Sequence, residues 1–183
     1  MTEEATLHYH WTRDAFMRAW EAGAFDRRVE LVEGEVWPVV LGDWHGETIF
    51  RVGELLRHPD VIVTGSTLPT CDSLPDPDCW IRRKTAEPVD TVGTRLTMWA
   101  SSDVLLVVEV SDETVMADLG VKERLYGRAG YQEYWVVTQS VIYKHTAPTS
   151  AGYRFRQEFR SGDRIALPYA DTDIAVEDLL NPA

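Results

Sequence analysis

Cysteine is nearly missing from this chain, which carries only Cys71 and Cys79. Two lone thiols make no disulfide framework and their separation fits no zinc-ligand spacing, so both are expected to be structural or incidental. Long hydrophobic runs are missing too. None approaches the roughly 18 residues of a membrane-crossing helix, so no integral membrane protein is expected. The N-terminal stretch MTEEATLHYHW has neither the basic start nor the apolar middle of a secretory signal, and the expected compartment is the cytoplasm. Positive charge is in deficit: 18 Lys and Arg stand against 30 Asp and Glu, for a net charge of −12. A protein that coats nucleic acid non-specifically would be basic. An enzyme that meets nucleic acid through metal ions escapes that argument, because bound cations reverse the local field. A nucleophile elbow, a Walker loop and a GxGxxG turn are all absent, which leaves acyl-transfer, P-loop and dinucleotide readings without support.

With 183 residues, 44% of them hydrophobic and 26% charged, the chain is expected to fold as a single domain, 1–183, around a real core. No repeat, low-complexity tract or long linker interrupts it. Thr12 to Ala22 has helical spacing with Thr12 as N-cap. Val29 to Trp37 (VELVEGEVW) alternates apolar and acidic residues about Glu33-Gly34, which predicts strand, tight turn, strand. A helix is expected over His45–Arg57 and a short strand over Val61–Thr64. SLPDPDCWIRRK leads into a strand beginning near Asp78, and Asp103–Val110 is the most apolar strand. Thr114–Ala129 reads as one helix stopped by Gly130. Glu133–Val137 and Ser140–Lys144 read as paired strands. Tyr153–Phe159 and Arg164–Leu167 are expected to extend the sheet, before a short helix ending at Leu180. The fold class expected is α/β (α+β), a mixed central sheet flanked by helices.

Within that pattern LLVVEVSDET, Leu105 to Thr114, carries an anomaly. Glu109 stands in a run that should be buried on both faces, where an unpaired carboxylate is costly. Glu30, Asp78 and Lys122 also lie at ends or edges of predicted elements. Asp78 and Glu109 on apolar strands could project into one pocket, and three converging carboxylates would need a cation. Mg²⁺ suits them, since it is hard, takes oxygen ligands and retains waters, one of which could attack a phosphodiester. Lys122 would position that water or screen the phosphate. Each residue taken alone has a plainer reading. Glu109 and Asp78 could be ordinary strand acids, Glu30 a hairpin acid in an acidic segment, and Lys122 a solvated helix residue paired with Asp118 at i,i+4.

The combination resembles a known family. PDCWI (Pro77 to Ile81), VVEVSDET, Asp118-Leu-Gly-Val-Lys122 with Tyr126, and Glu133-Tyr-Trp135 are similar to the Uma-type endonucleases of the PD-(D/E)xK nuclease superfamily. VELVEGEV matches the N-terminal Glu-Leu-x-x-Gly-Glu signature, and His45 falls where the family has a histidine opening the next helix. The likeness spans Thr12 to Leu180. It implies a restriction-endonuclease-like core over about residues 28–138, with additional N-terminal and C-terminal strands, and a magnesium-dependent endonuclease site, with Mn²⁺ as a substitute. By position, Asp78 is the acid of the Pro-Asp motif, Glu109 the second acid and Glu30 the additional glutamate; all three are the expected metal residues. Asp78 is preferred to Asp76 because CWI follows it directly. Ser111 stands where the plain motif has lysine, and in this family that lysine moves to the following helix, as Lys122. His45, Asp118 and Tyr126 match supporting positions. Thr138 departs from the aspartate that often follows the EYW strand. The expected partner is nucleic acid, in the first place DNA, with a homodimer as fold-level analogy. A non-catalytic nucleic-acid or protein interaction module on the same fold is the alternative, favoured by the chain's acidity. Arg82, Arg83 and Lys84 are candidates to flank a substrate groove.

Overall fold

The computed structural model describes residues 9–39, 42–112 and 114–180. Its axis is the apolar strand at Val104–Val110 (VLLVVEV), in which all seven residues are buried. Numbering elements along the chain, this is β7. Its β-branched side chains fit a strand covered on both faces. It lies inside a six-stranded sheet ordered β10-β9-β8-β7-β4-β3. Those strands are β3 (Val61–Thr64), β4 (Cys79–Arg83), β8 (Glu133–Val137), β9 (Ile142–Thr149) and β10 (Gly152–Phe159). Among the described residues only β7 and β8 pair in parallel. A parallel pair requires a crossover, and the helical segment between them supplies it.

Alternation along the strands sorts the side chains onto two faces. Leu106, Val108 and Val110 of β7, with Cys79 and Ile81 of β4, join a core under the helices α2 (Asp43–Leu55) and α5 (Val176–Leu180). Val107 of β7 and Trp80 of β4 join the opposite core, with Leu125 and Tyr126. The period of two therefore aims Glu109, and Asp78 just ahead of β4, toward this second face.

The N-terminal helix α1 (Arg13–Glu21) begins as its sequence predicts, with Thr12 accepting a hydrogen bond from the Ala15 N–H. The hairpin of β1 (Val29–Val32) and β2 (Glu35–Pro38) turns at Glu33 and Gly34. These residues have φ of +49° and +84°, the two left-handed residues of a tight hairpin turn. A second hairpin, β5 (Pro88–Val92) with β6 (Leu96–Trp99), arises where no strand was expected.

Two expectations are corrected. The helix expected over Thr114–Ala129 is three pieces: α3 (Val115–Ala117), a π-helical turn (Asp118–Lys122) and α4 (Glu123–Arg128). Arg164–Leu167 does not extend the central sheet. Its strand β11 (Arg164–Ala166) pairs with β12 (Asp173–Ala175) in a separate ribbon. The physical reason is burial: Ile165 and Ile174 face each other and enter the first core, while the outer strand β10 carries mostly exposed residues. Among the described residues no helix is long and apolar enough to cross a membrane.

Candidate active site

Five separate segments deliver the polar residues of the site. The bend ahead of β4 runs beside β1, where Leu31 and Leu74 exchange backbone hydrogen bonds. That contact holds Glu30 against the Pro-Asp segment, and the Asp76 N–H donates to Glu30 Oε2 at 2.9 Å. The β4/β7 register, Cys79 opposite Val108, sets Asp78 alongside Glu109. Asp78 Oδ2 accepts the Val110 N–H at 2.8 Å and lies 2.9 Å from His45 Nε2. His45 comes from the first turn of α2.

Lys122 closes the cluster. Its Nζ lies 3.0 Å from Glu30 Oε1 and 3.0 Å from Glu109 Oε1. The i,i+4 partner Asp118 is farther, at 3.9 Å. The plain reading of a solvated lysine is therefore excluded by position, for Lys122 is only 7% exposed and Glu109 3%. Tyr126 donates from its hydroxyl to Glu109 Oε1 at 2.8 Å. Asp118 is fastened instead to the β7 side, accepting on Oδ2 from Ser111 and Thr114, each at 2.7 Å.

The π turn explains how Asp118, Lys122 and Tyr126 all reach this cluster. In an α-helix a four-residue step advances about 40° beyond a full turn, so residues at i, i+4 and i+8 drift around the axis. A π turn is wider and rotates less per residue, which cancels the drift over Asp118–Lys122. Such turns recur at functional sites.

These residues border a cavity of about 80 Å³, lined among others by Glu30, His45, Asp78, Glu109, Asp118 and Lys122. Its electrostatics are lopsided. Burial holds Glu109 well above the ordinary glutamate range; the Lys122 ammonium opposes this, while the carboxylates of Asp78, Asp118 and Glu30 reinforce it. Burial opposes the charge on Lys122, but Glu109, Glu30 and Asp118 outweigh it and hold the ammonium above the usual lysine range. Burial, and then the neighbouring Glu109, raises Tyr126 far above an ordinary tyrosine, so its hydroxyl remains a donor. One ammonium thus serves several carboxylates.

Among the described residues no three His, Cys, Asp or Glu side chains form a ready metal cage. Mg²⁺ does not need one, since it is commonly held by one or two carboxylates plus waters and phosphate oxygens. Asp78 and Glu109 fit that requirement. Both line the cavity, and their internal contacts run through one oxygen each, Oδ2 and Oε1. Glu30 fits less directly, because Oε1 meets Lys122 and Oε2 takes the Asp76 N–H.

Asp76 also lines this cavity, with its carboxylate engaged by Arg28 at 2.6 Å and Thr67 at 3.1 Å. Of the basic trio at the end of β4, Arg82 stacks 3.9 Å over the Trp99 ring and Arg83 lies 3.8 Å from Asp103. Only Lys84 lines a groove that also reaches Asp78. Ser111 and Thr114 are the residues that sequence reasoning missed. Their signal was present in VSDET, where hydroxyls flank the end of a buried strand and precede a helix.

Comparison with known proteins gives two results. A family model described as "Putative restriction endonuclease", Uma2, matches residues 15–175. Three solved chains match in structure. One is the crystal structure of a "putative nuclease belonging to DUF820" from Anabaena variabilis ATCC 29413, with a TM-score of 0.68 at 11% identity. The alignment covers 93% of this chain and 97% of that one. At that identity the likeness shows the fold. No curated protein matches.

Proposed function

The chain belongs to the Uma2 family of restriction-endonuclease-like proteins, and from that premise we propose that it is a Mg²⁺-dependent endonuclease that hydrolyses DNA phosphodiester bonds. The observation that carries this reading is Lys122 Nζ at 3.0 Å from both Glu30 and Glu109, in a cavity that Asp78 also lines.

Asp78 and Glu109 would hold the ion, which when bound supplies a polarised phosphate and a water of lowered pKa. Tyr126 and Lys122 together fix the Glu109 carboxylate through Oε1. His45 and the Val110 N–H fix Asp78 through Oδ2. Glu30 holds the Lys122 ammonium toward the cavity and would help hold the ion through water. Lys122 then orients the attacking water and offsets charge gathering on the phosphate. Mn²⁺ should substitute for Mg²⁺, having the same preference for oxygen ligands.

The test is cleavage of plasmid, linear duplex and single-stranded DNA with Mg²⁺ by wild type and by Asp78→Asn, Glu109→Gln and Lys122→Met, with folding followed by circular dichroism. Each folded variant is expected to lose at least about 100-fold in rate. Wild-type cleavage by all three would overturn the assignment. The rival reading, a non-catalytic module, is favoured by one observation: the net charge of −12, which opposes contact with phosphates. Calorimetric titration with Mg²⁺ separates the two. The module predicts no binding, whereas the enzyme predicts binding that Asp78→Asn abolishes.

A further inference from the structure

Asp78 lines a second and much larger cavity, a groove of about 940 Å³ between α2 and the edge strand β3. Its chemistry differs from the rest of the molecule. Arg28, Arg57 and Lys84 line it against Glu54 and Asp78, so cations outnumber acids three to two. In the whole chain acids outnumber cations, 30 to 18. Arg57 is tied to Glu54 at 2.8 Å, an exposed pair of the kind that contributes little and can exchange for a phosphate.

The groove is also apolar in one place. Ile49 and Phe50 of α2 and Ile62 of β3 line it, and Phe50 is 80% exposed, unusual for a large aromatic. The same helical face carries Gly46 and Gly53, and a Cβ built at either would meet no atom within 4 Å. The helix backbone is thus open to close approach from the groove.

We propose that this groove is the substrate channel of the acidic site and that it receives a single, unpaired DNA strand. Bases lie against Phe50 and the aliphatic floor, and phosphates meet Arg57, Lys84 and Arg28 on the way to Asp78. The proposal rests on the nuclease reading for what happens at Asp78. Strandedness follows from two features. Paired and stacked bases offer no face to an exposed phenylalanine, whereas unpaired bases do. A duplex is gripped across a broad cationic face, whereas this groove offers three cations in one channel, two of them paired with Glu54 and Asp76.

The experiment is fluorescence anisotropy in EDTA, so that neither metal nor cleavage enters, with a labelled oligothymidylate and a labelled duplex of equal length. The single strand should bind at least about tenfold more tightly than the duplex, and Phe50→Ala should weaken it by about tenfold. Lys84→Ala should flatten the salt dependence. Gly53→Trp, which fills open space on a helix face, should abolish binding while circular dichroism stays unchanged. Equal or tighter binding of the duplex overturns the proposal. So does wild-type affinity in both Phe50→Ala and Gly53→Trp, or a dimer lost in Phe50→Ala without any oligonucleotide binding. Strand binding through this groove by a protein that never cleaves DNA with Mg²⁺ would sustain the groove and remove the nuclease reading. Cleavage that needs Asp78 but ignores the groove variants would do the reverse.

Discussion

Two lysine–glutamate pairs along this sheet place a buried carboxylate against an ammonium, and they close their charge differently. Lys144 Nζ lies 2.8 Å from Glu133 Oε1, on the β8/β9 pair, and the Trp135 indole N–H donates to the same oxygen at 2.7 Å. Burial raises Glu133 and Lys144 pulls it back, so one acid meets one cation from the neighbouring strand. Lys122 instead draws Glu30, Glu109 and Asp118 from three places in the chain and leaves Asp78 beside them. The first pair is a closed structural contact. The second is short of positive charge and borders a cavity, the condition under which a divalent ion gains most.

Removing the cation from each pair should break this symmetry most visibly. Lys144→Met strands a buried carboxylate and should cost about 3–5 kcal/mol in denaturant titrations, with cleavage per folded molecule retained. Lys122→Met should destabilise comparably but also lose cleavage. Added Mg²⁺ should raise the melting temperature of wild type and not of Asp78→Asn, because only a folded site with its ligands binds the ion.

Acid titration sharpens the contrast. Glu109 and Glu133 are both raised by burial, so the folded state holds their protons more tightly than the unfolded chain. Each therefore stabilises at low pH and loses that contribution as pH rises from the ordinary glutamate range through its folded value. The proposed metal site would require Glu109 ionised, so Mg²⁺ affinity should fall as pH drops through the raised value of Glu109, with proton release seen by calorimetry in two buffers. Glu133→Gln should leave that release unchanged, whereas Glu109→Gln should remove it. Loss of release in Glu133→Gln would erase the distinction between the pairs.

The smallest effects concern the shared neutral donors. Tyr126→Phe and Trp135→Phe each delete a hydrogen bond to a buried glutamate and should cost about 1.5–3 kcal/mol of stability. Only Tyr126→Phe should also weaken Mg²⁺ binding and cleavage, since its hydroxyl meets Glu109 on the oxygen that Lys122 shares.

Much of the fold was legible because it is local. Thr12 caps its helix, Glu33-Gly34 makes its turn, and the valine run of β7 reads as a buried strand from composition alone. The β5/β6 hairpin was not legible: four of the five β5 residues are exposed, so burial imposed little alternation on the sequence. The ribbon of β11 and β12 was misplaced because an Ile-centred strand names no partner; the pairing of Ile165 with Ile174 depends on the core beneath it.

The candidate site divides in the same way. Its ingredients were visible locally: a glutamate in a strand too apolar to carry one, a Pro-Asp pair ahead of CWI, and a lysine in the helical segment that follows. Tertiary structure decided their company. It engaged Asp76 with Arg28, brought Asp78 alongside Glu109, and set Lys122 closer to Glu30 and Glu109 than to its i,i+4 neighbour. The reason is range. Periodicity and turn chemistry act over a few residues, whereas the meeting of β1, β7 and the π turn is fixed by sheet register, by packing on both faces, and by a local unwinding of the helix.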